Sequence, residues 1–362
     1  MKSNRLYFID AVRAFAILMM LQGHFISTTL GSIYRDPNSM AYSIWLYFRG
    51  NTAPMFFAIS GLIFTYLLLK ANDKGNDNPR IKKGIKRGFE LIIIGYLLRI
   101  SFVSWFKGYF DTYFLLVDVL QCIGLSLIVL VLLYILVQKN RRVLSILLLI
   151  IGSIIFVTEP LYRNLTLEHV PQFFANYVSK QNGSVFTMLP WFGFMAFGGF
   201  IATLFYKYAD KPKFKLASIL FFISSGLALT FFSTWLLELL YNITGVELFY
   251  ACSIYNYLFL RLGNVLVAFG IFYALERFLK HSLITKIGAK TLSIYVVHFI
   301  ILYGSFTGIG LNLFYTNILT PWQAIVGALL FLIGSCVIVL NLGRMKALFL
   351  QWNGKLMKLV SK

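Results

Sequence analysis

Apolar runs of about twenty residues recur along the chain, separated by short polar stretches, and a run of that length crosses the hydrocarbon core of a bilayer as a helix. Ten can be read, approximately 6–29, 42–69, 88–106, 113–137, 143–157, 186–205, 216–240, 254–275, 291–304 and 322–342. The fifth and ninth are short. No internal repeat, heptad array or low-complexity segment interrupts the series. The pattern predicts an all-α, polytopic integral membrane protein of about ten transmembrane helices, forming a single integral-membrane domain over residues 1–362.

Composition agrees. Mean hydropathy is +0.77, and 13% of the residues are charged, against roughly 25% in a soluble domain. The first run has only Lys2 and Arg5 ahead of it and carries charge inside itself. It lacks a small-residue cleavage site followed by a polar domain, so it is expected to persist as a helix rather than be removed as a signal peptide. Cys122, Cys252 and Cys336 fall in or beside apolar runs without paired spacing and suggest neither metal nor disulfide.

The formal charge of +20 does not point to nucleic acid, because the positives sit in short loops. Of 33 Lys and Arg, 25 lie at the termini or in loops on the termini's side of a ten-helix path. By the positive-inside rule both termini are cytoplasmic, in the cell's inner (cytoplasmic) membrane. Trp45, Trp105, Trp191, Trp235 and Trp322 then form a belt at the outer interface. Two loops are longer. The basic stretch 71–87 is expected on the cytoplasmic surface, as topogenic charge or against anionic headgroups or a ligand's phosphates. The outer loop 159–184 carries Glu168 and His169, residues read as solvated, and is expected to form a lid or part of an acceptor site.

Polar residues inside the runs change the picture more. A charge within a bilayer helix costs at least ~2.5 kcal/mol on insertion scales, so such residues commonly line a site or pathway. Asp10, Arg13 and His24 share one face of the first helix, with His24 about 16 Å beyond Arg13. A neutral imidazole is suited to act as a general base, and the arginine suits an anion. Mutual neutralisation of Asp10 and Arg13, and a hydrogen-bonded core His24, are the structural alternatives. The second run carries Arg49, Asn51, Pro54, Ser60 and Gly61, which read as a proline kink or as the wall of a ligand site. Asp118 and Gln121, one turn apart, bind substrate or satisfy each other. Arg99, expected near the middle of the third helix, is a counter-charge for Asp118 or Glu90, or a ligand contact. His298, with Tyr295 beside it, is a core histidine or a substrate contact.

Taken together, these segments carry a resemblance. The stretch Ile9, Asp10, Ala11, Val12, Arg13 with His24 beyond it, followed by Pro54 through Ser60 and Gly61, resembles the opening of multi-pass membrane acyltransferases of the acyltransferase-3 type. Their clan includes the heparan-α-glucosaminide N-acetyltransferase-like proteins. Later segments agree: Asp118 through Gln121 to Gly124, Leu189-Pro190-Trp191 to Gly193, Ile287-Gly288, and Ser293 through Tyr295 to His298. The two middle segments lean to the heparan-type branch, whereas His24 stands where that branch can carry asparagine.

The resemblance implies transfer of an acetyl or similar acyl group from cytoplasmic acyl-CoA, as co-substrate, to a hydroxyl or amine of an envelope carbohydrate or glycolipid at the outer side. No metal is implied. His24 becomes the catalytic base or transient acyl carrier, Arg13 the signature arginine and Asp10 its orienting partner. Arg49, Asn51, Ser60, Arg99, Asp118, Gln121 and His298 become substrate contacts. By depth, Arg13 and His298 are expected toward the donor, and His24, Arg49 and Asp118 toward the acceptor. A transporter or flippase for an anionic envelope precursor is the rival reading, and a catalytically dead receptor or assembly partner a weaker one. Membrane lipids are further partners, and oligomerisation is left open.

Overall fold

The computed structural model describes residues 6–72, 78–109, 112–137 and 139–360, with backbone alone at 72 and over 345–360. Lys2, Arg5, the centre of the basic stretch 71–87 and the side chains beyond Arg344 lie outside the described residues. In chain order the architecture is carried by α1 (Tyr7–Thr29), α2 (Met40–Gly50), α3 (Thr52–Asn72), α4 (Pro79–Leu97), α5 (Val119–Leu136), α6 (Arg141–Val157) and α7 (Met188–Tyr208). There follow α8 (Phe214–Thr244), α9 (Tyr257–Ala274), α10 (Ser282–Ala289), α11 (Thr291–Tyr303) and α12 (Pro321–Val360). Each predicted run falls on one of these elements or on a broken pair.

Seven spans among the described residues are long and apolar enough to cross a membrane, and α10 with α11, bent by 69°, makes an eighth if that pair is one span. The protein is therefore an all-α, multi-pass membrane protein. The two remaining runs are α6, which has 17 residues, and α4, whose first half is basic.

The centre of the bundle is α7, packed on α3, α5 and α6. The α3–α7 contact is close because glycines face it from both sides. A Cβ at Gly61 would stand 2.1 Å from the Met195 carbonyl oxygen, and one at Gly198 only 1.9 Å from that of Ala58. Without a hydrophobic drive between helices in lipid, such small-residue contacts let backbones approach and gain dispersion energy. By contrast α8, 31 residues long, turns much of its surface outward and packs mainly on α9.

Three local expectations are corrected. The stretch 71–87 is not a loop throughout. Asn78 accepts a hydrogen bond from the Arg80 N–H at 3.0 Å, Pro79 takes the first helical position, and α4 starts there, nine residues before the apolar run. Basic residues continue the helix while Gly84 and Gly88 are buried beneath them. In consequence α4 ends at Leu97, so Arg99 lies just beyond its C-terminus rather than mid-helix. In the second run the break falls at Asn51, between α2 and α3, not at Pro54. Pro54 stands in the first turn of α3, where its missing N–H removes no helical hydrogen bond.

Candidate active site

The site forms where α1 meets α11. At one end the Arg13 Nη2 donates to Thr291 Oγ1 at 2.8 Å. Eleven residues further along α1, His24 Nδ1 lies 3.1 Å from His298 Nε2. Two contacts in the same order make α1 and α11 run alongside each other in the same direction. Their closeness depends on α10, which turns the chain in front of α11. A Cβ at Gly288 would lie 2.2 Å from the Asp10 carbonyl oxygen, so glycine is what lets α10 rest on the start of α1. Asp10 itself is buried.

The position of His298 corrects the expected depths: it belongs with His24, not with Arg13. The ninth run is not one straight span, since α11 has only 13 residues and leaves α10 at 69°. His298 is fully buried. The Tyr295 ring meets it edge-on at 5.0 Å between centroids, and Phe299 and Phe331 close around it at 5.4 and 6.5 Å.

Among the described residues, Arg49 and Asp118 are charged groups that act on His24 electrostatically. Arg49 lays its stem along Gly23, where a Cβ would stand 3.3 Å from its Cγ, and its guanidinium stands 5.5 Å from the Trp45 ring centroid. Trp45 in turn donates its indole N–H to Gln22 Oε1 at 2.8 Å, fixing α2 against α1. Asp118 is the N-cap of α5. Its Oδ1 accepts the Val119 N–H at 2.7 Å, and the Asp118 N–H donates to Gln121 Oε1 at 3.2 Å. This capping box is the mutual satisfaction anticipated for the two residues.

The other carboxylate oxygen of Asp118 binds Arg99 Nη2 at 2.9 Å. Arg99, with 10% of its side chain exposed, is flanked by the Tyr113 ring at 4.6 Å, and its Nε and Nη1 have no hydrogen-bond partner among the described residues. Asp118, not Glu90, is thus its counter-charge; Glu90 pairs with Arg87 on the surface of α4. Phe102 N–H donates to the Phe306 carbonyl at 2.9 Å and Phe306 N–H to that of Ile100 at 2.8 Å. These bonds pin the segment carrying Arg99 to the loop after α11.

Two predicted contacts stand apart. Asn51 donates to the Tyr47 carbonyl at 2.9 Å and accepts from Asn264 at 3.2 Å, while Arg261 donates to the Gly50 carbonyl. The bonds to the Tyr47 and Gly50 carbonyls satisfy the broken backbone between α2 and α3. Ser60 is half-buried beside the α3–α7 contact. Among the described residues, no hydrogen bond joins either to the histidine pair. Thr291, Tyr303, whose ring centroid lies 6.0 Å from that of His24, and Tyr113 were not singled out by sequence. Each is a common residue within an apolar stretch and becomes notable only by its neighbour.

Segment 159–184 is tied to the chain that leads into α5. Asn176 donates to the Leu115 carbonyl at 3.0 Å, and the Val117 N–H donates to Ser184 Oγ at 3.1 Å, next to Asp118. Burial there pushes the Tyr177 hydroxyl above its ordinary pKa. Glu168 and His169 are exposed, as read from sequence.

A family model for the catalytic region of heparan-α-glucosaminide N-acetyltransferase matches residues 5–243. The chain belongs to this family. It is a membrane acetyltransferase, and the matched region contains Asp10, Arg13, His24, Arg49, Arg99, Asp118 and Gln121. Thr291 and His298 lie beyond it. A search of curated proteins found no match.

Proposed function

We propose that this acetyltransferase moves an acetyl group from acetyl-CoA at the cytoplasmic face to a hydroxyl or amine of an envelope glycan or glycolipid at the outer face, with His24 as general base. The observation that carries this reading is the contact between half-buried His24 and buried His298, with Arg49 and the Arg99-paired Asp118 acting on His24. A basic nitrogen there has polar partners for an acceptor nearby and apolar walls against water.

In this scheme the His24 imidazole takes the proton from the attacking O–H or N–H as the nucleophile adds to the thioester carbonyl. The carbonyl oxygen becomes an oxyanion, the C–S bond breaks, and the coenzyme A thiolate leaves and is protonated. Arg13, held by Thr291 eleven residues toward the helix start, serves the donor. Arg99, with two buried donors that have no partner among the described residues, receives an acceptor oxygen. Both termini are cytoplasmic in this scheme, and all ten apolar runs cross the membrane.

The test is transfer of radiolabel from acetyl-CoA to glucosamine and to membrane glycolipid by the purified protein. Label is expected in product for the natural sequence and lost, by ~10²-fold or more, in His24→Ala at equal folded yield. Equal labelling by that variant removes His24 from the chemistry. Absence of turnover together with uptake of an anionic glycan precursor into proteoliposomes would favour transport instead.

A further inference from the structure

Away from the histidine pair, a gap separates α8 from the core of the bundle. One cavity of about 460 Å³ is walled by Phe197 and Ile201 of α7, Phe221, Leu229 and Phe232 of α8, and Leu262 of α9. A second, of about 300 Å³, lies nearer the α7–α8 turn and shares Ile201 and Phe221 with the first. Close to the turn the two helices touch, with the Phe205 ring 5.0 Å from that of Phe214 and 5.9 Å from that of Phe222. The larger cavity opens sideways, since Phe232 is 61% exposed and Leu149, also on its wall, 39%.

Both helices are long and apolar enough to cross a bilayer, and a bilayer does not close such a gap. Lipid tails are as apolar as the walls, so no hydrophobic drive pulls α8 onto α7. An empty space there would forfeit the dispersion contacts of the side chains that line it. Hydrocarbon restores them. The wall's own polar groups are turned inward: Ser225 donates to the Phe221 carbonyl, and Ser233 accepts from Asn256 Nδ2 at 2.6 Å.

The mouth at the turn is different, because Lys211 lines the second cavity. Its Nζ and that of Lys207 lie 5.9 and 4.6 Å from the Tyr208 ring centroid, which gathers two cations at the cavity's edge. Lys213 follows in the same turn, where Asp210 is the one acid. Lys215 is occupied by Glu276 at 3.1 Å. From Tyr208 back to Ile201, and from Phe214 on to Phe221, is seven residues each, about 10 Å of helix. An acyl chain reaches about 15 Å, half the hydrocarbon thickness. A chain that enters beside Lys211 therefore passes the neck at Ile201 and Phe221 and ends in the larger cavity.

We propose that this cleft binds one anionic phospholipid, with its phosphate at Lys207 and Lys211 and an acyl chain running between Ile201 and Phe221. A zwitterionic lipid would fill the walls equally well but bring a cation of its own to the mouth. The cleft shares no residue with the histidine site, and the proposal stands independently of the function proposed above.

The test is photolabelling of the purified protein in detergent with phosphatidylglycerol carrying a diazirine on its acyl chain, and with phosphatidylcholine carrying the same chain, read by mass spectrometry of peptides. Phosphatidylglycerol is expected to label residues 197–204 and 221–229 in preference to the outward face of α12, where Leu329, Leu330 and Ile333 are exposed. At limiting lipid it should do so about 25-fold more than phosphatidylcholine, about fivefold for each lysine. Lys207→Gln combined with Lys211→Gln should remove that preference. Ile201→Trp, which fills the neck, should abolish labelling at 224–229 and spare that at 214–218. Equal labelling of the natural protein by the two lipids overturns the proposal and needs no variant. So does label spread evenly over α12 and the cleft, a folded double lysine variant that keeps the preference, or a folded Ile201→Trp still labelled beyond the neck.

Discussion

Asp118 does two jobs with one carboxylate, since Oδ1 caps α5 and Oδ2 holds Arg99. Substituting Asn separates them, because an amide oxygen caps nearly as well but carries no charge. Asp118→Asn is expected to lower stability by about 1–3 kcal/mol, the scale of a hydrogen bond to a charged group, and Asp118→Ala by more, read as thermal unfolding in detergent. Equal loss in both would mean that the cap contributes nothing and the ion pair everything. At the other end, Thr291→Val removes the acceptor for Arg13 Nη2 while keeping the side chain's volume. It is expected to raise the acetyl-CoA KM several-fold and leave the acceptor KM unchanged; a change confined to the acceptor would reverse the assignment of the two ends. Asp10, Arg13, His24, Asp118 and Gln121 were legible in sequence because polar groups in apolar runs are costly. Thr291 and Tyr113 carried no such signal, since a threonine or tyrosine is unremarkable there until an arginine is found against it.

At the scale of elements, the apolar runs placed the helices but not their ends. The start of α4 is set by Asn78 and Pro79, a capping signal embedded in basic residues that reads first as a loop. The break between α2 and α3 is predicted at Pro54, yet it lies at Asn51, where Arg261 satisfies the Gly50 carbonyl and the Asn51 side chain that of Tyr47, with Asn264 holding the Asn51 amide oxygen. Glycines show the same limit, because their meaning depends on what approaches. Gly198→Ala would drive a Cβ to 1.9 Å from the Ala58 carbonyl oxygen and is expected to cost about 1–3 kcal/mol by overpacking. Gly334→Ala on α12 meets nothing within 4 Å and should be neutral or slightly stabilising. Thermal unfolding of the two variants side by side checks the α3–α7 contact; equal behaviour would contradict it.

For the whole molecule, the asymmetry of basic residues predicts which face meets the cytoplasm. Lys83, exposed on the first half of α4, provides a test, since the three natural cysteines are buried. Lys83→Cys is expected to resist an impermeant thiol reagent in intact cells and to react after permeabilisation, and labelling from outside would invert the topology. Sequence alone determined the all-α membrane class, because hydrophobicity and charge act locally and are written in consecutive residues. It also marked most of the polar residues of the site, through the cost of burying them. The tertiary structure decided their partners. The bend between α10 and α11 brings His298 to His24 across 274 residues, and the loop bridge at Phe306 holds Arg99 beside Asp118. Hydrogen bonds between helices are set by where helices end, tilt and touch, and those distances are not encoded in the spacing along one chain.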